Sequence, residues 1–149
     1  MISGYVPAEI KSRMLNILIV EDNEGDVLLV KEALREHRIE FEIKHLFDGE
    51  QALAYLNNAV ISGSNAPDLV LLDLNLPKRD GWEVLQVLRR SPDLKATPVV
   101  IFSSSNAPED LRRAAGMDSL IYIRKPSNLE EFLAIGKRIE SFWLSCRPS

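Results

Sequence analysis

The chain has 149 residues, with 18 basic against 22 acidic side chains, a formal charge of −4, 46% hydrophobic and 27% charged residues. This is the balance of one globular domain with a real core; it excludes disordered and fibrous classes and the broad basic footprint of a nucleic-acid binder. A second, DNA-reading domain has no room, and no run approaches the ~18 apolar residues of a membrane span.

Met1–Arg13 lacks the apolar stretch of a signal peptide. The single cysteine, Cys146, suits a reducing compartment, and Arg147 and Pro148 break the pattern of a prenylation box. A cytoplasmic protein with no nucleic-acid or membrane partner is expected. Residues 1–14 read as an N-terminal extension, in which Met14 offers an alternative start; 15–144 read as the domain and 145–149 as a tail.

Asn16–Val20 is a short β-rich run ending in Glu21-Asp22-Asn23, and Asn23 can cap a helix with Val27, Val30 and Leu34 on one face. Phe41–Phe47 is a second strand, mixed in polarity as an edge strand would be. Asp48-Gly49-Glu50 opens a helix carrying Leu53 and Leu56, and Ala59–Pro67 reads as a loop. Asp68–Asp73 is nearly continuously apolar, the mark of a strand buried on both faces.

A loop with Pro77 and Gly81 leads into a helix bearing Val84, Leu85 and Leu88. Pro98–Phe102 is another buried run, followed by Ser103-Ser104-Ser105. Pro108 fits the first turn of the next helix, where Glu109 and Asp110 complement the dipole. Leu120–Ile123 is the fifth run, closed by Arg124-Lys125-Pro126. Ser127-Asn128-Leu129-Glu130 has capping-box form, and the last helix carries Leu129, Phe132, Leu133, Ile139, Phe142 and Trp143 at helical spacing.

Strand and helix thus alternate five times. That pattern predicts a doubly wound, five-stranded parallel sheet with helices on both faces, three layers in all. Right-handed crossovers place functional residues at the carboxyl ends of the strands.

Four strands end in chemically pointed residues: Glu21-Asp22, Asp73, Ser103 and Lys125. Taken singly, each has a plainer reading: an acidic turn, a loop aspartate, a loop serine, a solvated lysine. Their coincidence at one sheet edge favours a site. Three carboxylates brought together repel unless a cation joins them, and hard oxygen ligands with open water positions suit magnesium. An ammonium and a hydroxyl complete the parts that hold a phosphoryl group, with one carboxylate free to act as nucleophile.

The sequence resembles the receiver domain of two-component response regulators over Leu15–Trp143. The matching motifs are Ile-Leu-Ile-Val-Glu21-Asp22-Asn23, Asp-Leu-Val-Leu-Leu-Asp73-Leu-Asn-Leu-Pro77, Gly81 after Lys-Arg-Asp, and Tyr122-Ile-Arg-Lys125-Pro126. The spacing of Asp73, Ser103 and Lys125 also matches. The resemblance implies a flavodoxin-like fold of strand order 2-1-3-4-5. It implies that Asp73 accepts a phosphoryl group from a phosphohistidine of a sensor histidine kinase. Glu21, Asp22, Asp73 and the backbone carbonyl of Asn75 would hold Mg2+.

By the same resemblance, Lys125 and Ser103 would bind phosphoryl oxygens, with the small Ser104 beside them, and Ser103 and Tyr122 would form the switch. Asn75 and Ser105 stand where receivers tune access of hydrolytic water. Pro77, Gly81 and Pro126 would shape the loops. The chain departs from the family pattern at Asp118-Ser119, where Gly-Ala is usual. Short stretches, among them Asn23-Glu24-Gly25-Asp26-Val27 and Glu140-Ser141-Phe142-Trp143-Leu144, resemble the stand-alone regulators paired with bacterial phytochromes. The partners implied are such a kinase and a downstream protein or phosphotransfer domain. Phe142 and Trp143 either close the core or serve a homodimer.

Three alternatives remain open from sequence. A phosphohydrolase with an aspartyl nucleophile would need an acid where Asn75 stands. A flavin binder would place its phosphate against Glu21-Asp22-Asn23-Glu24, which would repel it. A receiver-like module that binds partners without phosphorylation would not need every acceptor-site residue type present here.

Overall fold

A computed structural model of the chain describes residues 14–37, 39–58 and 66–146. The sequence expectations for the extension before Met14, for 59–65 of the predicted loop and for the tail beyond Cys146 lie outside the described residues. The elements in order are β1 (Leu15–Val20), α1 (Glu24–Glu36), β2 (Phe41–Leu46), α2 (Gly49–Asn57) and β3 (Leu69–Leu72). They continue as α3 (Gly81–Arg90), β4 (Val99–Ser103), α4 (Pro108–Ala115), β5 (Leu120–Arg124) and α5 (Leu129–Cys146).

All strand pairs are parallel, in the order β2-β1-β3-β4-β5. The expected flavodoxin-like, three-layer fold is therefore present. Each inner strand is buried on both faces, and successive residues alternate between two cores as the period of two demands. Ile17, Ile19, Leu69, Leu71, Val100 and Phe102 face α1 and α5. Leu18, Val20, Val70, Leu72, Val99 and Ile101 face α2, α3 and α4. β2 exposes Glu42 and Lys44, as its mixed sequence led one to expect of an edge strand.

The helix starts follow local chemistry. Asn23 accepts from the Asp26 N–H at 3.1 Å, Asp48 from Gln51 at 2.7 Å and Asp80 from Glu83 at 3.0 Å. Pro108 occupies the first turn of α4. At α5 the cap lies one residue beyond Ser127. Asn128 accepts from the Glu131 N–H at 2.8 Å, so the reciprocal box would be Asn128 with Glu131 rather than Ser127 with Glu130. Leu129, the first residue of α5, is 60% exposed and does not join the apolar face expected of it. Phe142 and Trp143 pack against the core on the α1 side, the core-closing reading of that pair.

Gly136 sets how closely α5 approaches α1. A Cβ there would collide with the Ala33 carbonyl oxygen and the His37 ring. No helix among the described residues is long and apolar enough to cross a membrane.

Candidate functional site

Parallel register brings the ends of β1, β3, β4 and β5 to one rim. Val20 stands beside Leu72, and Ser103 beside Arg124. The ladder runs one residue further at each end: Glu21 N–H donates to Leu46 O (3.0 Å), Asp73 N–H to Val20 O (3.0 Å) and Lys125 N–H to Ser103 O (2.9 Å). The chemically pointed side chains are thus fixed by hydrogen-bonded backbone rather than by free loops. Glu21 and Asp73 are only 4% and 5% exposed, and Ser103 is fully buried.

Carboxylate oxygens of Glu21, Asp22 and Asp73 lie within 4.8 Å of one another. Lys125 Nζ reaches across the rim to Glu21 Oε1 (2.7 Å), Asp26 Oδ2 (2.9 Å) and Asp73 Oδ2 (3.1 Å). Acid therefore exceeds base, with Glu21, Asp22, Asp26 and Asp73 around one ammonium. Burial pushes the Glu21 carboxyl up to about 7; the Asp73 charge adds to this, while Lys125 and the Asn23 amide oppose it. Burial pulls Lys125 down, but its hydrogen bonds to Glu21 and Asp26 and the charge of Asp73 reverse this, so its pKa ends above the ordinary lysine value. The ammonium stays charged.

This donor set fits a divalent cation. It offers clustered hard oxygen ligands short of positive charge, with exposed Asp22 at the mouth to leave room for water ligands. The Asn75 N–H donates to Asp73 Oδ1 at 3.1 Å, which brings that residue's backbone against the acidic cluster. His45, a half-buried residue of the edge strand, has Nε2 2.7 Å from the Glu21 carbonyl oxygen and so carries its proton there.

The serine side of the pocket is equally ordered. Ser103 Oγ accepts from the Ser105 N–H at 3.2 Å and from Asn75 Nδ2 at 3.4 Å. With both acceptor positions engaged, its own proton is left to donate. Tyr122 OH donates to the Ser105 carbonyl at 2.7 Å, so its ring lies against the sheet rather than in solvent. Ser104 is exposed. Gly81 lies so near the acidic loop that a Cβ would collide with the Asp73 carbonyl oxygen, and its N–H donates to Leu74 O at 3.0 Å.

Glu21, Asp22, Asp73, Ser103 and Lys125 are thus brought together as the sequence suggested. Asp26 was not singled out by sequence reasoning. The available signal was its place in the first turn of α1, directly after the acidic rim loop.

The fold and site together are a doubly wound parallel sheet whose carboxyl rim holds an acidic cluster opposite a half-buried lysine. The response regulator receiver domain model matches residues 17–136, and the chain belongs to that family. It is 41% identical to response regulator Rcp1 of Synechocystis sp. over 129 residues, 86% of this chain and 88% of that protein. It resembles the crystal structure of the phosphorylated cyanobacterial phytochrome response regulator RcpA, with TM-score 0.76, 40% identity, 91% of this chain and 98% of that one. The Mn2+-bound form of Rcp1 matches with TM-score 0.74 and 38% identity over 90% of this chain and 97% of that one.

Proposed function

We propose that this receiver accepts a phosphoryl group on Asp73 from the phosphohistidine of a sensor histidine kinase, with Mg2+ held by Glu21, Asp22, Asp73 and the Asn75 carbonyl. The observation that carries this is the Asp73 carboxylate, buried, within 4.8 Å of Glu21 and Asp22 and 3.1 Å from Lys125 Nζ. An Asp73 oxygen attacks phosphorus through a lone pair not used by Asn75 or Lys125, the P–N bond breaks, and its electron pair stays on the imidazole nitrogen of the kinase. The cation, when bound, neutralises charge on the phosphoryl oxygens.

Lys125 already bridges Asp73 and Glu21 and so can transfer its contact to an incoming oxygen without leaving the pocket. The Ser103 hydroxyl, with both its lone pairs occupied, donates to another oxygen, and Ser104 adds little bulk beside it. Pro77, Gly81 and Pro126 hold the loops that carry these groups. Asn75 turns its amide toward Ser103 and offers no acid for ester hydrolysis, which supports a signalling role over a phosphohydrolase.

Ser103 and Tyr122 together form the switch of a protein-interaction surface on the β5 side, by favouring one of two pre-existing arrangements. Similarity to the phytochrome response regulator RcpA supports a kinase of phytochrome type; on this reading the signal passes to a downstream protein or phosphotransfer domain, and a second copy of this chain is the further partner. On this reading the domain spans 15–144 and works in the cytoplasm. Incubation with acetyl phosphate and Mg2+ followed by intact mass should show one added phosphoryl group, absent in Asp73→Asn. An unmodified mass, or a modification that survives that substitution, counts against the proposal.

A further inference from the structure

Beyond the acidic pocket, one hydrogen-bonded chain leaves the phosphoryl-binding side, crosses to another helix and returns to the site. Ser105 is its hub, and each of its polar groups is engaged. Its N–H donates to Ser103 Oγ (3.2 Å), and its carbonyl accepts from Tyr122 OH (2.7 Å). Its hydroxyl donates to Asp110 Oδ2 (2.8 Å) and accepts from the Ala107 N–H (3.3 Å). The other oxygen of Asp110 accepts from the indole Nε1 of Trp82 at 3.0 Å.

Trp82 is a firm anchor. It lies in the first turn of α3, buried against the core, and carries the Arg113 guanidinium 4.5 Å from its ring centroid. It also directly follows Gly81, whose backbone lies against the Asp73 carbonyl. The loop that follows Asp73 and the loop that follows Ser103 are therefore tied together behind the pocket through Trp82 and Asp110.

We propose that Asp110, held by the Trp82 indole, is a positioning residue for phosphoryl binding. It fixes Ser105, and through the Ser105 amide it keeps the Ser103 hydroxyl oriented as a donor while Tyr122 stays bonded to the Ser105 carbonyl. Neither Asp110 nor Trp82 touches the phosphoryl group. Both act by reducing the rearrangement that Ser103 would otherwise undergo on binding. The inference rests on the reading of Asp73 as the acceptor.

The test uses the full chain with beryllofluoride, which mimics a phosphoryl group on a carboxylate, and with Mg2+ alone. Trp82→Phe keeps an aromatic ring in the core and removes the N–H donor along with part of the indole; Asp110→Ala removes both acceptors. Beryllofluoride affinity should fall about tenfold in Asp110→Ala and about threefold in Trp82→Phe, while Mg2+ affinity stays at the parent value. Because the two groups act in series, the double variant should lose no more than Asp110→Ala alone.

Unchanged beryllofluoride affinity in both single variants, additive losses in the double, or a matching fall in Mg2+ affinity would each overturn the proposal. Thermal melts of both single variants separate loss of the hydrogen bond from simple unfolding, and Asp110→Ala leaves the buried core untouched. Asp73→Asn serves as the separate control. Beryllofluoride binding that persists in it refutes the acceptor reading itself, and binding lost in it alone refutes only the role of Asp110 and Trp82.

Discussion

Two cations sit at opposite rims of one sheet, and their partners differ in kind. Lys125, past the end of β5, faces the side-chain carboxylates of Glu21, Asp26 and Asp73. Arg89, at the far end of α3, donates instead to the backbone carbonyls of Lys95, Thr97, Asp118 and Ser119, at 2.8 to 3.1 Å. Carboxylates can exchange partners by rotating a side chain; backbone carbonyls cannot without moving the chain. One rim is built to trade contacts and the other to keep them.

Arg89 also holds the turn at Asp118-Ser119. Ser119 lies in the left-handed region, with φ 53, which costs a residue bearing a Cβ. Two of the four guanidinium contacts fall on the carbonyls of this turn and hold it. Burial pulls the Arg89 pKa down, with the Asp118 charge opposing, and the side chain remains a cation.

The contrast can be broken most directly at Lys125. Lys125→Met leaves three carboxylates without their cation, and metal-free stability in urea should fall by about 3 kcal/mol or more. Adding Mg2+ should recover part of the loss. If Lys125→Met is as stable as the parent without metal, the rim is not held by that ion cluster. Arg89→Ala should cost about 2 kcal/mol, for hydrogen bonds from a charged donor left unmade. Mg2+ should not restore it, and acetyl phosphate labelling should persist; rescue by Mg2+ would erase the distinction between the rims.

The pH dependence sharpens the same comparison. Glu21 is raised from 4.5 to about 7 by burial, so the folded state holds a proton there that the unfolded chain has released. Its contribution is fully present below the unfolded value and is lost as pH rises through about 7. Lys125, raised above the lysine range, keeps its contribution throughout that window. Metal-free protein should therefore lose melting temperature between about pH 4.5 and 7 on this account, and Glu21→Gln should flatten that slope. A slope unchanged in Glu21→Gln assigns it elsewhere. The smallest effect is expected at His45. His45→Phe removes the donor on the Glu21 carbonyl, and Mg2+ affinity by calorimetry should weaken about threefold; an unaltered isotherm would show that the carbonyl needs no such support.

Much of this was legible because it is local. Asn23 caps α1 and Pro108 begins α4 as their residue types require, and the apolar runs become the strands of a parallel sheet. The misreading at α5 is instructive: Ser127 and Asn128 are both competent caps. The register of the helix against β5 and the core, which buries Phe132 and Ile135 and leaves Leu129 outside, selects Asn128. Asp26 was hidden for a related reason, since an acid in the first turn of a helix has a sufficient explanation in the dipole.

By itself, then, the sequence determined the alternation of elements, the two-faced burial of the central strands, and the convergence of Glu21, Asp22, Asp73, Ser103 and Lys125 on one rim. Those follow from periodicity and from the handedness of the crossovers. Only the tertiary structure decided which oxygens Lys125 reaches, that Arg89 holds a left-handed turn, and that Ser105, Asp110 and Trp82 form one chain. Most of these pairings, such as Lys125 with Asp73 and Trp82 with Asp110, join segments far apart in sequence through bonds of about 3 Å, and their choice among competing donors and acceptors is made only when the layers pack.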